Sequence, residues 1–290
     1  LFMVEPEEFC NNLQTLDSND YQVLDKDVRK DDILKKAKLE FVNFKNMIES
    51  NGIKVTYMHG SLGCPDHIFP NWFATFQDKT MQIFSMKALN RRAEKKPEMI
   101  KKLQKEYKLT EDMTHYEEKG VFLESTSSMV FDRVNMIAYI GKSVRTNANL
   151  AKEWCSKNGF ELVLFETTSH KNNPIYHTDV LMFVGTEMIG LCIDVINEDY
   201  RDIVYSKATN HHEVMFITKE QILDFCGNAL EARNDKNEKF LIMSSRAHNS
   251  LSIDQHKCIS RFYKKIIHSD ISTIERYGGG SARCMLSELF

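Results

Sequence analysis

Gly278-Gly279-Gly280-Ser281-Ala282-Arg283-Cys284-Met285-Leu286-Ser287-Glu288-Leu289-Phe290 is the stretch on whose reading the rest of the chain depends. Three consecutive glycines can take backbone angles closed to other residues and let another group approach the main chain closely. They deliver a cysteine, beside an arginine, just before an apolar run expected to form a closing strand over 285–289. A thiol is nucleophilic only as thiolate, and a free one titrates near ~8.5, so a fixed turn and a neighbouring cation would aim and activate it. The same residues would also suit an inert buried cysteine at a strand start, because free cysteine is among the most buried residue types.

The composition narrows the class. Of the 290 residues 42% are apolar and 27% charged, an ordinary balance with ample material for a core. A net charge of −3 provides no basic field for nucleic acid or an acidic membrane surface. Seven cysteines, at 10, 64, 155, 192, 226, 258 and 284, are scattered and never spaced C-x-x-C. That pattern points to reduced thiols in a cytoplasmic compartment rather than a disulfide framework or a zinc site. No run approaches the ~18 consecutive apolar residues of a membrane span. The chain starts at Leu1, already in an expected strand, as if a preceding segment had been trimmed.

Working back along the chain, apolar spacing predicts a helix over 31–50, carried by Ile33, Leu34, Ala37, Phe41, Phe44 and Ile48. A long amide-rich stretch over 6–22 precedes it, of a length more often functional than structural. Residues 59–78 read as a loop holding Pro65-Asp66-His67-Ile68-Phe69-Pro70-Asn71-Trp72-Phe73. Residues 88–107 read as one charged helix with a solvated face. Further helices are expected near 146–157, 199–207 and 252–268. Strands are expected over 2–4, 53–58, 81–86, 121–123, 129–131, 136–140, 160–165, 180–184, 189–193, 214–217, 240–243 and 271–275. Short strands alternate with helices every 50–60 residues or so, with no linker to cut at, which favours one α/β domain over 1–290 built from similar units.

Two internal strings add chemistry to the cysteine. Glu124 ends an apolar run and enters the small-residue loop Ser125-Thr126-Ser127-Ser128, where it could face a ligand or simply cap a strand at the surface. His177 and Asp179 lie two apart at the head of an expected strand, so both should point to one face. They could serve a cavity as proton carrier and anion, or pair with each other in the core. His211-His212, adjacent on a strand edge, would point to opposite faces and cannot both ligate one metal ion. No Walker loop, G-x-G-x-x-G, G-x-S-x-G or H-E-x-x-H occurs. A cysteine, a histidine and two carboxylates suit covalent catalysis on a planar cationic carbon: carboxylates fork onto a guanidinium, the thiolate attacks, and the histidine handles protons.

Taken together, these strings resemble the amidinotransferase/arginine deiminase (pentein) superfamily, nearest its citrulline-hydrolase-like amidinotransferase branch. The resemblance runs nearly end to end, through Met3-Val4-Glu5-Pro6 with Asn12, Asn19 and Tyr21-Gln22, the 65–73 loop, Glu124 to Arg133, Tyr176-His177-Thr178, Cys226-Gly227-Asn228 and Gly278 to Met285. It implies a five-bladed α/β propeller of ββαβ units around a central polar pocket. It further implies Cys284 as nucleophile, His177 as general acid/base and Glu124 as the acid that orients the histidine or holds the guanidinium, with no metal and no cofactor. Asp179, Asn71, Asp66, Arg133, Asn19 and Arg283 are implied as substrate-binding, and Arg133, Arg145 and Arg283 are the candidates for holding a substrate carboxylate. Asp179 stands where the nearest branch commonly has Asn, which favours a guanidinium over a neutral ureido group. Ser125 and Ser127 stand where glycines are usual. The implied activity is hydrolysis of a small guanidino or ureido compound, arginine- or citrulline-like, without nucleic acid or membrane partners and with homo-oligomerisation left open. Amidino transfer to an amine, or a catalytically silent binding protein on the same fold, are the alternatives.

Overall fold

Helical spacing of apolar residues sets the first unit. Helix Lys30–Glu49 buries Ile33, Ala37, Phe41, Phe44 and Ile48, while Leu34 is only half-buried. The helix carries the chain back so that strands β1 (Phe2–Glu5) and β2 (Thr56–His59) pair in parallel, as a helical crossover requires. The computed structural model describes residues 1–25 and 27–290.

Four further units repeat one pattern. They comprise β3 (Phe73–Thr75), β4 (Thr80–Ile83) and β5 (Lys108–Asp112); β6 (Met129–Asp132), β7 (Ile137–Gly141) and β8 (Glu161–Phe165); β9 (Met182–Val184), β10 (Met188–Leu191) and β11 (Glu213–Phe216); and β12 (Leu230–Arg233), β13 (Lys239–Ser244) and β14 (Lys265–Ser269). In each, the first two strands form an antiparallel hairpin and the third returns through helix to pair in parallel with the middle strand. The unit is therefore ββαβ. The β1–β2 sheet lacks its hairpin strand until the chain end supplies it: Phe2 N–H donates to Ser287 O at 2.8 Å and Ser287 N–H to Phe2 O at 3.0 Å. Five blades thus close into the α/β propeller that the sequence led us to expect.

Several local expectations are corrected. Residues 271–275 lie largely in helix Ser272–Gly278, because the apolar pair Ile271 and Ile274 is spaced for a helix packed on Lys30–Glu49. The expected helix over 252–268 stops at Ser260, and its tail becomes β14. The expected strand over 285–289 is one bridge at Ser287, since the N–H groups of Met285 and Leu286 are spent on turn carbonyls. Residues 88–107 form two short helices, Leu89–Arg92 and Pro97–Leu103, with Pro97 opening the second. Their lysines at 101, 102 and 105 are exposed as expected, but Arg91 and Glu94 are buried. His177 and Asp179 do not head a strand: they enter the single 3-10 turn Thr178–Val180, ahead of β9.

Candidate active site

The blade repeat places one polar residue just before the first strand of each unit. Asn71 precedes β3, Glu124 precedes β6, His177 precedes β9, Asn228 precedes β12, and Cys284 precedes the closing bridge. All five side chains are buried.

Helix Ser272–Gly278 ends on Gly279 at φ +63°, a left-handed cap that glycine adopts without steric cost, and turns the chain toward Cys284. The thiol donates to Asp179 Oδ2 at 3.5 Å and accepts from Asn228 Nδ2 at 3.1 Å. Burial pushes the thiol well up, and the Asp179 carboxylate pushes the same way; the Ser281 backbone, Asn228 and Arg283 oppose them. Burial also raises the Asp179 carboxyl, against the pull of His177 and Arg283. Its Oδ1 has no partner among the described residues.

His177 Nε2 lies 2.7 Å from Glu124 Oε2. Burial would raise the Glu124 carboxyl, but the His177 hydrogen bond and the charges of Arg145 and Arg91 overcome it and hold the group at about 2. A carboxylate there makes Nε2 the protonated ring nitrogen, so in the neutral imidazole Nδ1, which has no partner among the described residues, carries the free lone pair. Burial lowers the His177 pKa, with Glu124 opposing. Ser125, next to Glu124, sits at φ +45°, a left-handed backbone that disfavours a side chain, and is tied down by its hydroxyl donating to Phe73 O at 2.8 Å.

The remaining expected residues divide. Asp66 lines the Cys284 cavity; its Oδ2 accepts from Asn12 at 2.7 Å and from Thr15 at 3.2 Å, while Oδ1 has no partner among the described residues. Asn71 lines it too, donating to Ser127 at 2.9 Å and accepting from Arg91 at 2.6 Å. Asn19 borders it but is committed to the nucleophile turn, donating to the Gly278 and Gly279 carbonyls at 3.2 and 3.3 Å. Arg133 and Arg283 lie elsewhere. Both face Glu288, at 3.2 and 3.8 Å, in a second cavity of about 560 Å³ that Asp179 lines as well. Arg133 follows β6 at its far end, and Arg283 precedes Cys284 in a turn that sends the two side chains apart. Of the three arginines considered for a carboxylate, Arg145 alone lines the Cys284 cavity, held by Ser18 and Thr15 and stacked 4.7 Å from the Tyr176 ring.

Two site residues were not singled out from sequence. Arg91, read as part of a solvated face, is buried against Glu94 and also donates to Phe69 O at 2.6 Å. Asn228 was visible only as part of a motif, and its equivalent position in the blade repeat is the signal that could have found it. The Cys284 cavity holds about 10 Å³, room for about one water. Two hollows of about 560 Å³ exist elsewhere, so chemistry rather than size marks this site.

Five ββαβ blades around a buried Cys–His–Glu constellation define a pentein of the amidinotransferase/arginine deiminase-like superfamily. The family described as "N,N dimethylarginine dimethylhydrolase, eukaryotic" matches residues 5–290, and the chain belongs to it. Solved structures with the same fold include ArgZ, an arginine dihydrolase from the ornithine-ammonia cycle in cyanobacteria, at TM-score 0.76 and 14% identity. That match covers 100% of this chain but 41% of the other, so this chain spans about two-fifths of the full-length cyanobacterial enzyme. The N-terminal domain of ArgZ, bound to substrate, matches at TM-score 0.76 and 13% identity over 98% of this chain and 95% of that one. A dimethylarginine dimethylaminohydrolase in adduct with S-methyl-L-thiocitrulline matches at TM-score 0.65 and 14% identity, over 98% and 97%. No curated protein matches. At these identities the structures establish likeness of fold.

Proposed function

We propose that this chain, acting as one catalytic domain over 1–290, hydrolyses a C–N bond of an arginine-like guanidino compound through a covalent adduct on Cys284. The observation that carries the reading is a pair of buried carboxylates, each with an oxygen that has no partner among the described residues: Asp66, which lines the cavity of Cys284 and His177, and Asp179, which accepts from the thiol and lines the neighbouring cavity. A guanidinium held at the sulfur would satisfy the Asp179 oxygen, as carboxylates satisfy arginine. It would also displace the thiol proton from Asp179 and favour the thiolate by its charge. Arg145, which lines the Cys284 cavity, is the arginine we assign to a substrate carboxylate. Family membership supports N,N-dimethylarginine as the substrate type.

In this mechanism the thiol proton passes to His177 Nδ1, and the thiolate bonds to the central guanidino carbon. His177 returns the proton to the departing amine as the C–N bond breaks, leaving an amidino adduct on sulfur. Neutral His177 then takes a proton from water as the water oxygen bonds to the same carbon, and the C–S bond breaks as His177 returns that proton to sulfur and the new hydroxyl gives up its own to solvent, leaving a ureido product and free thiol. Glu124 stays a carboxylate and holds the imidazolium formed at each stage. The seven unpaired cysteines support a reducing, cytoplasmic setting.

Intact-mass spectrometry after incubation with N,N-dimethylarginine, arginine and citrulline and acid quench tests this. An adduct on Cys284, absent in Cys284→Ser, with amine and ureido product released in equal amounts, is expected. No adduct and no product from any of the three would overturn the reading. Product that forms only with an added amine acceptor would assign transfer instead.

A further inference from the structure

Asn228, like Asn71, is a member of the blade-repeat set that the mechanism above leaves without a role. It is fully buried, and its orientation is fixed by its own bonds. Oδ1 accepts the Cys284 backbone N–H at 3.3 Å, so Nδ2 must be the atom facing the sulfur. Nδ2 has two protons and two acceptors: the Asp179 carbonyl at 2.9 Å and Cys284 Sγ at 3.1 Å. The amide therefore ties the fourth blade, the fifth blade and the closing turn at one point.

The backbone is shaped to put it there. Phe225, a bulky residue, sits at φ +60°, a conformation that strains any residue but glycine and recurs where function demands it. A Cβ on Gly227 would come within 2.4 Å of Val180 O, so only glycine lets this loop press against the 177–181 segment.

We propose that Asn228 is a catalytic residue: its amide N–H donates to the Cys284 sulfur and stabilises the thiolate that attacks the substrate. The inference rests on the reading of Cys284 as nucleophile. A hydrogen bond to an ionised acceptor is shorter and roughly twice as strong as one between neutral groups, so this donor favours thiolate over thiol. The other groups acting on the sulfur are Asp179, which disfavours its ionisation, and the Ser281 backbone and Arg283, which favour it; nearby Tyr176 is neutral.

The test is the second-order rate of alkylation by iodoacetamide from pH 6 to 11, with Cys284→Ser identifying the phase that belongs to this thiol. It needs no substrate, so a failure of the hydrolytic reading leaves it intact. Asn228→Ala is expected to displace the curve to higher pH by at least one unit, about tenfold in rate at fixed pH on the rising limb. The shape of the curve separates this from a structural role. Loss of a thiolate-stabilising donor moves the curve along the pH axis, whereas mere displacement of the turn changes the rate by the same factor at every pH and leaves the curve in place. A native position of the curve in Asn228→Ala overturns the proposal. Should the Ala variant fail to fold, Asn228→Leu, close in shape and uncharged, is read in the same way.

Discussion

His177 is the residue through which every proton of the proposed reaction passes, and its state is set by one neighbour. Burial disfavours the imidazolium, and the 2.7 Å bond to Glu124 is the opposing force. Glu124→Gln keeps the shape and removes the charge, so the His177 pKa should fall further. The imidazole proton shift followed by NMR against pH checks that sign. The turnover number should drop by about 10²- to 10⁴-fold, the usual worth of general acid–base catalysis, with a smaller effect on KM. Near-native turnover in Glu124→Gln would sink the assignment. The grouping of Cys284, His177 and Glu124 could be read from the sequence, because each has distinctive chemistry beside a strand end, and the fold brings His177 against Glu124 and into one cavity with Cys284. Arg133 and Arg283 face Glu288 outside that cavity, since neither membership of a motif nor adjacency to Cys284 says which way a side chain points. Arg91 was hidden because a charged residue on a short helix looks the same whether it meets water or a buried glutamate.

Among the elements, the nucleophile turn is the most constrained. Gly279 has φ +63°, and a Cβ there would lie 2.7 Å from both the Gln22 backbone nitrogen and Asn19 Nδ2. Gly279→Ala should therefore cost at least the ~1–2 kcal/mol of a left-handed L-residue and push on the 19–22 loop as well. Denaturant unfolding reads the stability loss, and Cys284 alkylation reads displacement of the thiol. A variant with native stability and native alkylation would show that the turn tolerates a side chain. The same element shows why strand and helix expectations failed where they did. Short apolar runs such as 271–275 fit either period, and tertiary packing on helix Lys30–Glu49 decided for helix. Long periodic segments, the Lys30–Glu49 helix above all, were legible to within a residue or two. The stretches over 88–107 and 252–268, broken by Pro97 and by the start of β14, were not.

At the level of the whole molecule, the ring is closed by Ser287 on Phe2, and the helix that leads into the closing turn, Ser272–Gly278, carries a buried carboxyl with a consequence for stability. Glu275 accepts from Ser281 Oγ at 2.6 Å through Oε1, and its Oε2 has no partner among the described residues. Burial pushes its pKa up to about 7, against the hydrogen bonds of Ser244 and Ser281 and the charge of Arg246. A folded pKa above the unfolded value means that the native state binds the proton more tightly. Its stabilising contribution is full below the ordinary glutamate pKa and is lost as pH rises through about 7. The loss by neutral pH is on the order of 3 kcal/mol. Glu124 acts with the opposite sign: held at about 2, it contributes stability above the ordinary glutamate value that disappears as pH falls toward 2. Glu94, also pushed up to about 7 by burial, loses its contribution in the same interval, so it is the difference between the native and Glu275→Gln profiles from pH 5 to pH 8 that isolates Glu275. Glu275→Gln, isosteric and always neutral, should shrink the fall in unfolding free energy over that interval by Glu275's own share, on the order of 3 kcal/mol, as read by denaturant titration at each pH. Parallel pH profiles for the native chain and the variant would mean that Glu275 is ionised in the fold at neutral pH, with its charge met by Arg246 rather than expelled by burial.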